Sequence, residues 1–376
     1  MTKGNYPHRL SFAVLLLLFF VPLVYTGYES PPKADNEDNP TPISTQPNSV
    51  ITIAAVGDIM MGSTYPVPIL PPDDGNRLFE SVADELINSD IAIGNLESPF
   101  CDSEIPPKKI INEHNYIFAT PTNYAKNLVR AGFDVLNLAN NHIGDFGEIG
   151  IKTTKLVLDR SGIKYTGFVG DIADLTIRGK RVSVVGFSTS PLTNNLLNIR
   201  KAQRIIADLK RQSAIVIVTF HGGSEGIKSL HTKDTFEYYL DEPRGNVVKF
   251  AHSVIDSGAD LVLGHGPHIP RALEIYKNKL IAYSLGNFCT YGQFCLKREN
   301  GLSLILKVNL DTSGNFLTGK IIPLYQEVPG IPKPDSTGRS IKLIKDLSYY
   351  DFPLSAPNIE SNGIITHPKR ETYSSD

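Results

Sequence analysis

The sequence contains no tryptophan, little cysteine and almost no net charge. Its 376 residues include 37 basic and 39 acidic side chains, so the formal net charge is only −2. This balance gives no reason to expect nucleic acid or an anionic membrane surface as a partner. Cys101, Cys289 and Cys295 form no C-x-x-C pair of the kind that holds zinc. Their spacing leaves open both a disulfide between Cys289 and Cys295 and three unpaired thiols.

The N-terminus carries a short apolar run behind a few basic residues. Lys3, His8 and Arg9 precede residues 10–24, which contain no charged side chain. A basic start followed by an apolar stretch of this length predicts a secretory signal peptide or an uncleaved membrane anchor in residues 1–27. The run is short for a transmembrane helix, which needs ~20 apolar residues. We therefore expect an exported protein, and a cleaved and an anchored N-terminus both stay open.

Composition divides the rest of the chain into three parts. Residues 28–49 are rich in Pro, Ser, Thr and Asn and predict a flexible, solvated linker. Residues 50–328 hold the strongly apolar segments and are long enough for one large domain. Residues 329–376 are Pro-rich and polar and predict a C-terminal extension that is partly disordered, above all in its last fifteen residues.

The large domain alternates helices with buried strands. Nearly continuous apolar runs over residues 50–56 and 214–220 are typical of strands that are buried on both faces. Three helical segments end at Gly132, Gly162 or Gly258, and an apolar strand begins at once after each glycine. This order of elements predicts an α/β fold.

The second half of the domain contains more strand than helix. The apolar segments that indicate these strands are 181–187, 279–284 and 302–308. Strands that follow one another along the chain predict a second, partly antiparallel sheet. We therefore expect two stacked sheets with helices outside them.

Side chains that can bind metal follow the apolar strands at five places. These residues are Asp58, Glu97, Asn141, His221, His265 and His268. In open α/β sheets the carboxyl ends of the strands line the ligand crevice. Carboxylate, imidazole and amide donors without a thiolate suit Mn²⁺, Zn²⁺ or Fe. Because the set is larger than one tetrahedral site needs, it predicts two divalent ions.

Each of these residues alone has an ordinary structural explanation. Gly57-Asp58 could be a plain turn, and Asn140-Asn141 could be a turn that caps a helix. A single histidine such as His221 is more often structural than a ligand. The joint pattern favours the metal site, because four of the nine histidines stand at strand ends beside glycines.

A family resemblance rests on six segments that occur in a fixed order. They are residues 55–58, 95–99, 138–142 with Asp145 and Gly147, 221–225, 258–265 and 283–288. Together they resemble the bacterial poly-γ-glutamate capsule biosynthesis proteins, the CapA family, which looks like a branch of the calcineurin-like metallophosphoesterases. The resemblance covers about residues 50 to 290 and implies a four-layer α-β-β-α sandwich of the metallophosphoesterase type. It also implies an exported, membrane-associated protein that helps to make or attach an anionic polyglutamate polymer.

The resemblance assigns roles to single residues. It implies that the six residues named above bind metal, with Glu97 as a bridging carboxylate, and that His142 is the general acid. Met60 stands where phosphoesterases usually place a histidine ligand. Gly266 stands where CapA-like chains often carry a second, adjacent histidine. These two departures predict one tightly bound ion and one weakly bound ion.

Five more residues are predicted to bind substrate or to support the ligands. They are Asn140, Asp145, Glu225, Arg271 and Asn287. Arg271 would hold an anionic substrate group through its fork of donors, and its alternative is a surface arginine. Glu225 would orient His221, and its alternative is a surface glutamate.

Two classes of function remain open. The first is a metal-dependent hydrolase or transferase that acts on an amide or a phosphoester of an anionic, polyglutamate-like polymer or its precursor. The second is a non-catalytic subunit of a membrane-bound complex for polymer synthesis and export. The intact set of ligands favours the enzyme.

Overall fold

The computed structural model describes residues 49–102, 107, 116–292 and 294–368. In chain order the strands are β1 (Val50–Met60), β2 (Ile91–Leu96), β3 (Val135–Asn137), β4 (Lys164–Thr166), β5 (Ala173–Ile177), β6 (Lys180–Ser188), β7 (Ile215–His221), β8 (Glu237–Tyr239), β9 (Glu242–Gly245), β10 (Leu261–His265), β11 (Leu273–Tyr276), β12 (Lys279–Ala282), β13 (Asn287–Thr290), β14 (Leu302–Asp311), β15 (Phe316–Glu327), β16 (Ile331–Pro334), β17 (Asn358–Ile359) and β18 (Ile364–Thr366). The α-helices are α1 (Ala83–Ile87), α2 (Ala125–Ala131), α3 (Gly147–Ser161), α4 (Ile199–Lys210), α5 (Val247–Asp256) and α6 (Arg339–Asp351).

The larger sheet is built around β1. Its strand order is β17-β18-β15-β14-β1-β2-β3-β4, with β13 beside β1 and β16 beside β15. The strands β1 to β4 are parallel to one another, and β13 is parallel to β1. Segment 302–308 was expected in the second sheet, and that expectation is wrong. It forms part of β14, which pairs with β1 in antiparallel register from Val50–Asp311 to Val56–Ile305.

The smaller sheet has the order β11-β12-β10-β7-β6-β5. Its four central strands are parallel, whereas β11 and β5 at the two edges are antiparallel to their neighbours. The expected second, partly antiparallel sheet is therefore confirmed. A separate two-stranded hairpin, β8–β9, precedes α5 in the chain.

Helices cover the outer face of each sheet. Leu128 of α2 and Leu158 of α3 share an apolar cluster with the larger sheet. Ile206 of α4 and Phe250 of α5 share another with the smaller sheet. Each fully buried aliphatic side chain of this kind stabilises the fold by roughly 1.5–3 kcal/mol.

A third apolar cluster lies between the two sheets. Ile53 and Ile93 of the larger sheet share it with Ile217 and Leu263 of the smaller sheet, and all four are buried. The layers are thus helix, sheet, sheet and helix. This confirms the expected α/β fold and its four-layer α-β-β-α sandwich.

The C-terminal segment joins the larger sheet. β16 and β18 both pair with β15, and Ile344 of α6 lies in the cluster between the sheets. The expected disorder of the last fifteen residues is wrong for residues 362–368, because β18 is hydrogen-bonded and Ile365 is buried. The remaining residues, 369–376, lie outside the described part, and the boundary at residue 328 stays a prediction.

The N-terminal predictions also fall outside the described residues, because these begin at residue 49. No helix in the described part of the chain is both long enough and apolar enough to cross a membrane. Cys101, Cys289 and Cys295 are all free thiols, so the disulfide alternative is not realised.

Candidate metal centre

Register places several of the predicted ligands at one edge of the two sheets. Asp58 of β1 pairs with Asn95 of β2 and with Asn287 of β13. In the smaller sheet His221, the last residue of β7, pairs with His265, the last residue of β10. The sequence could predict this convergence because parallel strands end on the same side of a sheet.

Close backbone contact around Asp58 requires a glycine before it. A side chain at Gly57 would place its Cβ 1.9 Å from the carbonyl oxygen of Gly286. The amide of Asp58 donates a 2.9 Å hydrogen bond to that same oxygen. Gly57 therefore lets the segment before β13 approach β1 and fixes the Asp58 carboxylate, which is fully buried.

Asp58, Glu97 and His268 form the centre of the site. One ligand atom from each lies within 4.8 Å of the other two. Nδ1 of His268 is 3.0 Å from Oδ2 of Asp58, and its Nε2 is 3.6 Å from Oε1 of Glu97. His221 and His265 complete the arrangement, with Nε2 of His221 3.6 Å from Glu97 Oε1 and Nδ1 of His265 3.5 Å from Asp58 Oδ1.

Several of these buried atoms lack hydrogen bonds. Among the described residues, both oxygens of Glu97, Nε2 of His221 and both ring nitrogens of His265 have no hydrogen-bond partner. Leaving a buried polar atom unsatisfied costs about 1–3 kcal/mol, and more for a charged group. Carboxylate oxygens and imidazole nitrogens that converge in this way fit a divalent cation.

The two carboxylates respond to this environment in opposite directions. Burial raises the pKa of Asp58, but contacts with His265 and His268 outweigh burial and hold that pKa well below its usual range. Burial also raises the pKa of Glu97, where it prevails over the opposing charge of His268 and leaves the pKa well above its ordinary value. Burial therefore disfavours the ionised form of Glu97, whereas contacts with the histidines favour the ionised form of Asp58.

The pKa values of His268 and His221 also shift in opposite directions. Burial lowers the pKa of His268, but the charges of Glu97, Asp58 and Glu225 raise it to about 10. Burial lowers the pKa of His221 well below its usual value. The neutral form of His221 is the form that can bind a metal ion. His268 would have to lose a ring proton to bind an ion, because only a neutral imidazole is a ligand.

The loop after β10 adopts an unusual conformation that brings His268 into the centre. His268 has φ of 59° and Gly266 has φ of 111°. A Cβ at residue 266 would lie 2.9 Å from the amide nitrogen of Gly222 and 3.2 Å from Cδ2 of His221. A histidine at this position would need the loop to move. The glycine at residue 266 therefore allows His221 to lie close to this loop.

Asn95 is a central residue of the site that the sequence analysis quoted without assigning it a role. Its Nδ2 donates to Oδ1 of Asp58 at 2.8 Å and lies 3.3 Å from Nδ1 of His221. Its Oδ1 accepts from Nδ2 of Asn137 at 2.9 Å and from Nδ2 of Asn140 at 3.3 Å. The amide thus holds one ligand from each sheet, and its position opposite Asp58 in the register was the signal that could have revealed it.

His142 forms a pair with Asp145 beside the centre. Nδ1 of His142 is 3.0 Å from Oδ2 of Asp145, which also accepts a hydrogen bond from the Phe118 amide at 2.9 Å. Both side chains are buried. The carboxylate can fix the orientation of the imidazole, so that Nε2 is the atom left for chemistry.

Asn140 shapes the turn that carries His142. Its Oδ1 accepts hydrogen bonds from the amides of His142 and Ile143 at 3.1 and 2.9 Å, and its Nδ2 donates to the Leu96 carbonyl at 2.9 Å. Asn141 follows in the same turn and is half-buried. Its role as a metal ligand stays a prediction.

Aromatic rings connect His142 with His268. The Phe118 ring lies 4.6 Å from the His142 ring and 6.0 Å from the Phe294 ring. The Phe294 ring lies in turn 5.2 Å from the His268 ring. The two phenylalanine rings thus link the ring of the predicted acid to that of His268.

Two predicted supporting residues lie beside His268. Oδ1 of Asn287 is 3.1 Å from Nδ1 of His268. Oε1 of Glu225 accepts a 2.6 Å hydrogen bond from Arg244, and its Oε2 is 3.9 Å from Nε2 of His268. Glu225 was expected to orient His221, whereas these contacts direct it to His268. It is half-buried, so the surface alternative is wrong.

Arg271 differs from both of its predicted descriptions. It is fully buried, so the surface alternative is wrong. Its two terminal nitrogens donate to the two carboxylate oxygens of Glu237 at 3.0 and 2.9 Å, and one also donates to the Ser224 carbonyl at 2.8 Å. The terminal donors expected to hold a substrate anion are therefore engaged within the protein, where they tie strand β8 to the loop after β7, and only Nε lacks a partner among the described residues.

Arg244 is a second buried arginine that the sequence analysis did not single out. Its side chain is 3% exposed, and its Nη2 contacts Glu225. Nε and Nη1 of this residue have no hydrogen-bond partner in the described part of the chain. It lies in β9, and nothing in the local sequence distinguishes it from a surface arginine of a hairpin.

Solved structures resemble this fold only at a distance. A hypothetical protein from Thermus thermophilus gives a TM-score of 0.46 at 13% identity, over 74% of this chain and 100% of that one. A putative 5'-nucleotidase from Staphylococcus aureus gives a TM-score of 0.42 at 16% identity, over 80% of this chain and 58% of that one. At these values neither likeness carries weight for the site.

Comparison of sequences is more informative. The "Capsule biosynthesis protein CapA" of Bacillus anthracis is 30% identical over 320 residues, which are 78% of this chain and 71% of that protein. The "PGA biosynthesis protein CapA" of Bacillus subtilis (strain 168) is 27% identical over 357 residues, or 89% and 85%. The family model described as "Bacterial capsule synthesis protein PGA_cap" matches residues 52–291. The chain therefore belongs to this family of bacterial capsule synthesis proteins.

Proposed function

We propose that this chain is a metal-dependent enzyme of capsule polymer synthesis, which hydrolyses or transfers a phosphoester or amide bond of a polyglutamate-like polymer or its precursor. The observation that carries the proposal is the group of buried ligand atoms on Glu97, His221 and His265 that lack hydrogen bonds within the described residues. A protein that only needed stability would gain from apolar side chains at these positions. The retained cost indicates a bound cation.

Six residues would hold divalent ions, of which Mn²⁺, Zn²⁺ and Fe suit the donors. They are Asp58, Glu97, Asn141, His221, His265 and His268. When bound, such ions supply a water that is acidic enough to attack near neutral pH and a positive charge for the developing oxyanion. Asn95 holds Asp58 in place, since it donates to Oδ1 at 2.8 Å.

His142 supplies the proton for the leaving group. Asp145 accepts from Nδ1, so the protonated ring can deliver the proton from Nε2. The Phe118 ring, 4.6 Å away, limits rotation of the imidazole. The apolar rings of Phe118 and Phe294 on this side of the site would limit access of water during the reaction.

The direct test is hydrolysis of a generic phosphodiester, bis(p-nitrophenyl) phosphate, by the purified protein. We expect turnover with Mn²⁺ that is lost after chelation and restored by the ion. A protein that binds metal and yet turns over neither this ester nor a γ-glutamyl amide would contradict catalysis. That result would favour the non-catalytic subunit of a polymer synthesis and export complex.

We also propose that the chain is exported, on the basis of Lys3 and Arg9 before the uncharged residues 10–24. A reporter enzyme that works only outside the cytoplasm, fused after residue 50, should be active. A silent fusion beside an active control fusion would give residues 10–24 another role.

A further inference from the structure

Arg244 carries donors that its surroundings do not use. Of the five N–H groups of its guanidinium, those on Nη2 face Glu225 at 2.6 Å, and the same nitrogen lies 3.7 Å from Oε2 of Glu242. Those on Nε and Nη1 have no hydrogen-bond partner among residues 49–102, 107, 116–292 and 294–368. An arginine cannot lose its charge to relieve this situation. Glu225 already balances the charge of Arg244, so it is the unused donors on Nε and Nη1 that call for a further acceptor, and an anion is the strongest one.

The position of Arg244 relates these donors to the metal centre. Glu225 lies between Arg244 and His268, with Oε1 2.6 Å from Nη2 of the arginine and Oε2 3.9 Å from Nε2 of the histidine. The carbonyl of Arg244 also accepts a 2.9 Å hydrogen bond from the amide of Gly223, two residues beyond His221. The guanidinium is thus separated from the proposed ligands by the width of one carboxylate.

Arg271 is a buried arginine of the same region in which both terminal nitrogens are engaged and only Nε lacks a hydrogen-bond partner among the described residues. Both of its terminal nitrogens bind Glu237, and one also binds the Ser224 carbonyl. Its guanidinium is neutralised by a two-point contact, the strongest arrangement that a carboxylate offers. Glu225 gives Arg244 only a one-point contact, because its second oxygen faces His268.

A tyrosine ring covers the unsatisfied guanidinium. The centroid of the Tyr239 ring lies 5.5 Å from Cζ of Arg244, and Tyr239 itself is half-buried. Tyr239 is the last residue of β8, and the hairpin turn after it consists of Leu240 and Asp241, with φ of 48° and 65°. Movement of this half-buried ring, which would also break the hydrogen bond between Tyr239 and Glu225, would open the guanidinium to a ligand.

We propose that Arg244 is an anion-binding subsite that receives a carboxylate of the substrate beside the metal centre, with the Tyr239 ring displaced by the ligand. This proposal rests on the proposed function. A phosphoryl or acyl group under attack would lie at the metal ligands themselves, so Arg244 is placed to hold a second anionic group of the same molecule. The planar fork of a guanidinium matches a carboxylate, and a glutamate polymer carries one on every residue.

The test compares two ligands that differ only in charge. One is a γ-linked glutamate trimer, and the other is the same trimer with its α-carboxylates converted to amides. Their dissociation constants are measured by titration calorimetry on the full-length, Mn²⁺-loaded protein and on three variants. Arg244→Gln removes the charge, Arg244→Lys keeps the charge without the fork, and Arg204→Gln removes an exposed arginine of α4 as a matched control.

We expect the wild type to bind the acidic trimer at least about tenfold more tightly than the amide, as for a hydrogen bond to a charged group. Arg244→Gln should abolish this preference, Arg244→Lys should keep part of it, and Arg204→Gln should keep all of it. A preference that survives in Arg244→Gln, or a wild type that does not discriminate, overturns the subsite. If Arg244→Gln fails to fold, an undiminished preference in Arg244→Lys overturns it.

Metal content and phosphodiester turnover are measured on the same samples. Absence of either in the wild type counts against the proposed function. A wild type that shows both and yet has no preference between the trimers counts against the subsite alone, so the two failures are distinguishable.

Discussion

The metal centre and the cluster around Glu274 are both buried and rich in ionisable groups, yet their polar atoms are satisfied to different degrees. Oε1 of Glu274 accepts from Ser355 at 2.8 Å, and its Oε2 accepts from Tyr283 at 2.6 Å and contacts His252 at 2.8 Å. Both oxygens of Glu97 lack such partners within the described part of the chain. The Glu274 cluster joins the segment after α6 to the smaller sheet, whereas the metal centre leaves its donor atoms open to a cation.

The pKa values of the two glutamates express this difference. Burial raises the pKa of Glu274, but hydrogen bonds from His252, Tyr283 and Ser355 outweigh burial and lower it overall. Burial of Glu97 prevails and leaves its pKa well above the ordinary value. Glutamate thus stabilises the fold at Glu274 and is unfavourable for stability at Glu97. A strongly perturbed group of this kind is expected where a ligand binds.

The largest expected effect is a difference in metal binding between variants of the metal centre and variants of the Glu274 cluster. Asp58→Ala should lose bound metal and lower turnover by more than about 10²-fold, since changes even to residues behind metal ligands cost ~10–100-fold. Glu274→Gln should keep both. Elemental analysis and phosphodiester rates on the two variants check this, and parallel losses in both would erase the distinction.

A second substitution distinguishes the proposed general acid from the proposed metal ligands. His142→Ala should keep most of its metal and lose ~10²–10⁴-fold in turnover, because the leaving group is no longer protonated. The loss should shrink for a p-nitrophenolate leaving group, which needs little protonation. Metal loss equal to that of Asp58→Ala would make His142 a ligand, and full activity with a poor leaving group would remove it from the mechanism.

The Glu274 cluster should show its effect in stability. Glu274→Ala should lower the free energy of unfolding by about 1–3 kcal/mol, because Tyr283 and His252 lose their partner. The folded pKa of Glu274 lies below its unfolded value of ~4.3. Its stabilisation is therefore present above that pH and is lost as the pH falls through the folded pKa. Denaturant unfolding between pH 7 and pH 3 should show the wild type and Glu274→Gln converging in acid, and a constant gap would contradict this.

The smallest expected effect is a gain in stability. In metal-free protein Glu97→Gln should raise the free energy of unfolding by about 1 kcal/mol at neutral pH, because a buried carboxyl whose ionised form is disfavoured and which has no hydrogen bond is replaced by a neutral amide. The folded pKa of Glu97 lies above its unfolded value of ~4.3, so the wild type loses stability as the pH rises from there toward the folded pKa. Thermal unfolding with a chelator measures this. A variant that is less stable than the wild type at pH 7 would mean that Glu97 is already satisfied.

Local sequence was sufficient to predict the buried strands and the polar residues at their ends. Apolar runs that end at Asp58, His221 and His265 identify both a buried strand and its polar end. Parallel strands then bring those ends together, as the pairing of His221 with His265 confirms. The four layers follow from the same alternation of helices and strands.

Partners that are distant in sequence could not be predicted. Arg271 binds Glu237, 34 positions away, because a hairpin folds back over the loop after β7. The same hairpin brings Arg244 to Glu225. Side-chain periodicity does not reveal which of the two arginines, Arg271 or Arg244, makes a two-point contact with a carboxylate. The pairing of β14 with β1 is also a long-range contact, between Val50 and Asp311 at its far end.

The central claim is that the orphaned atoms of Glu97, His221 and His265 are ligands of a divalent ion. The most direct test is the metal content of the purified wild-type protein after incubation with Mn²⁺ or Zn²⁺ and removal of free ions, with Asp58→Ala measured beside it. We predict at least one tightly bound ion per chain in the wild type, and its loss in the variant. A wild-type protein that retains no metal under these conditions would contradict the account.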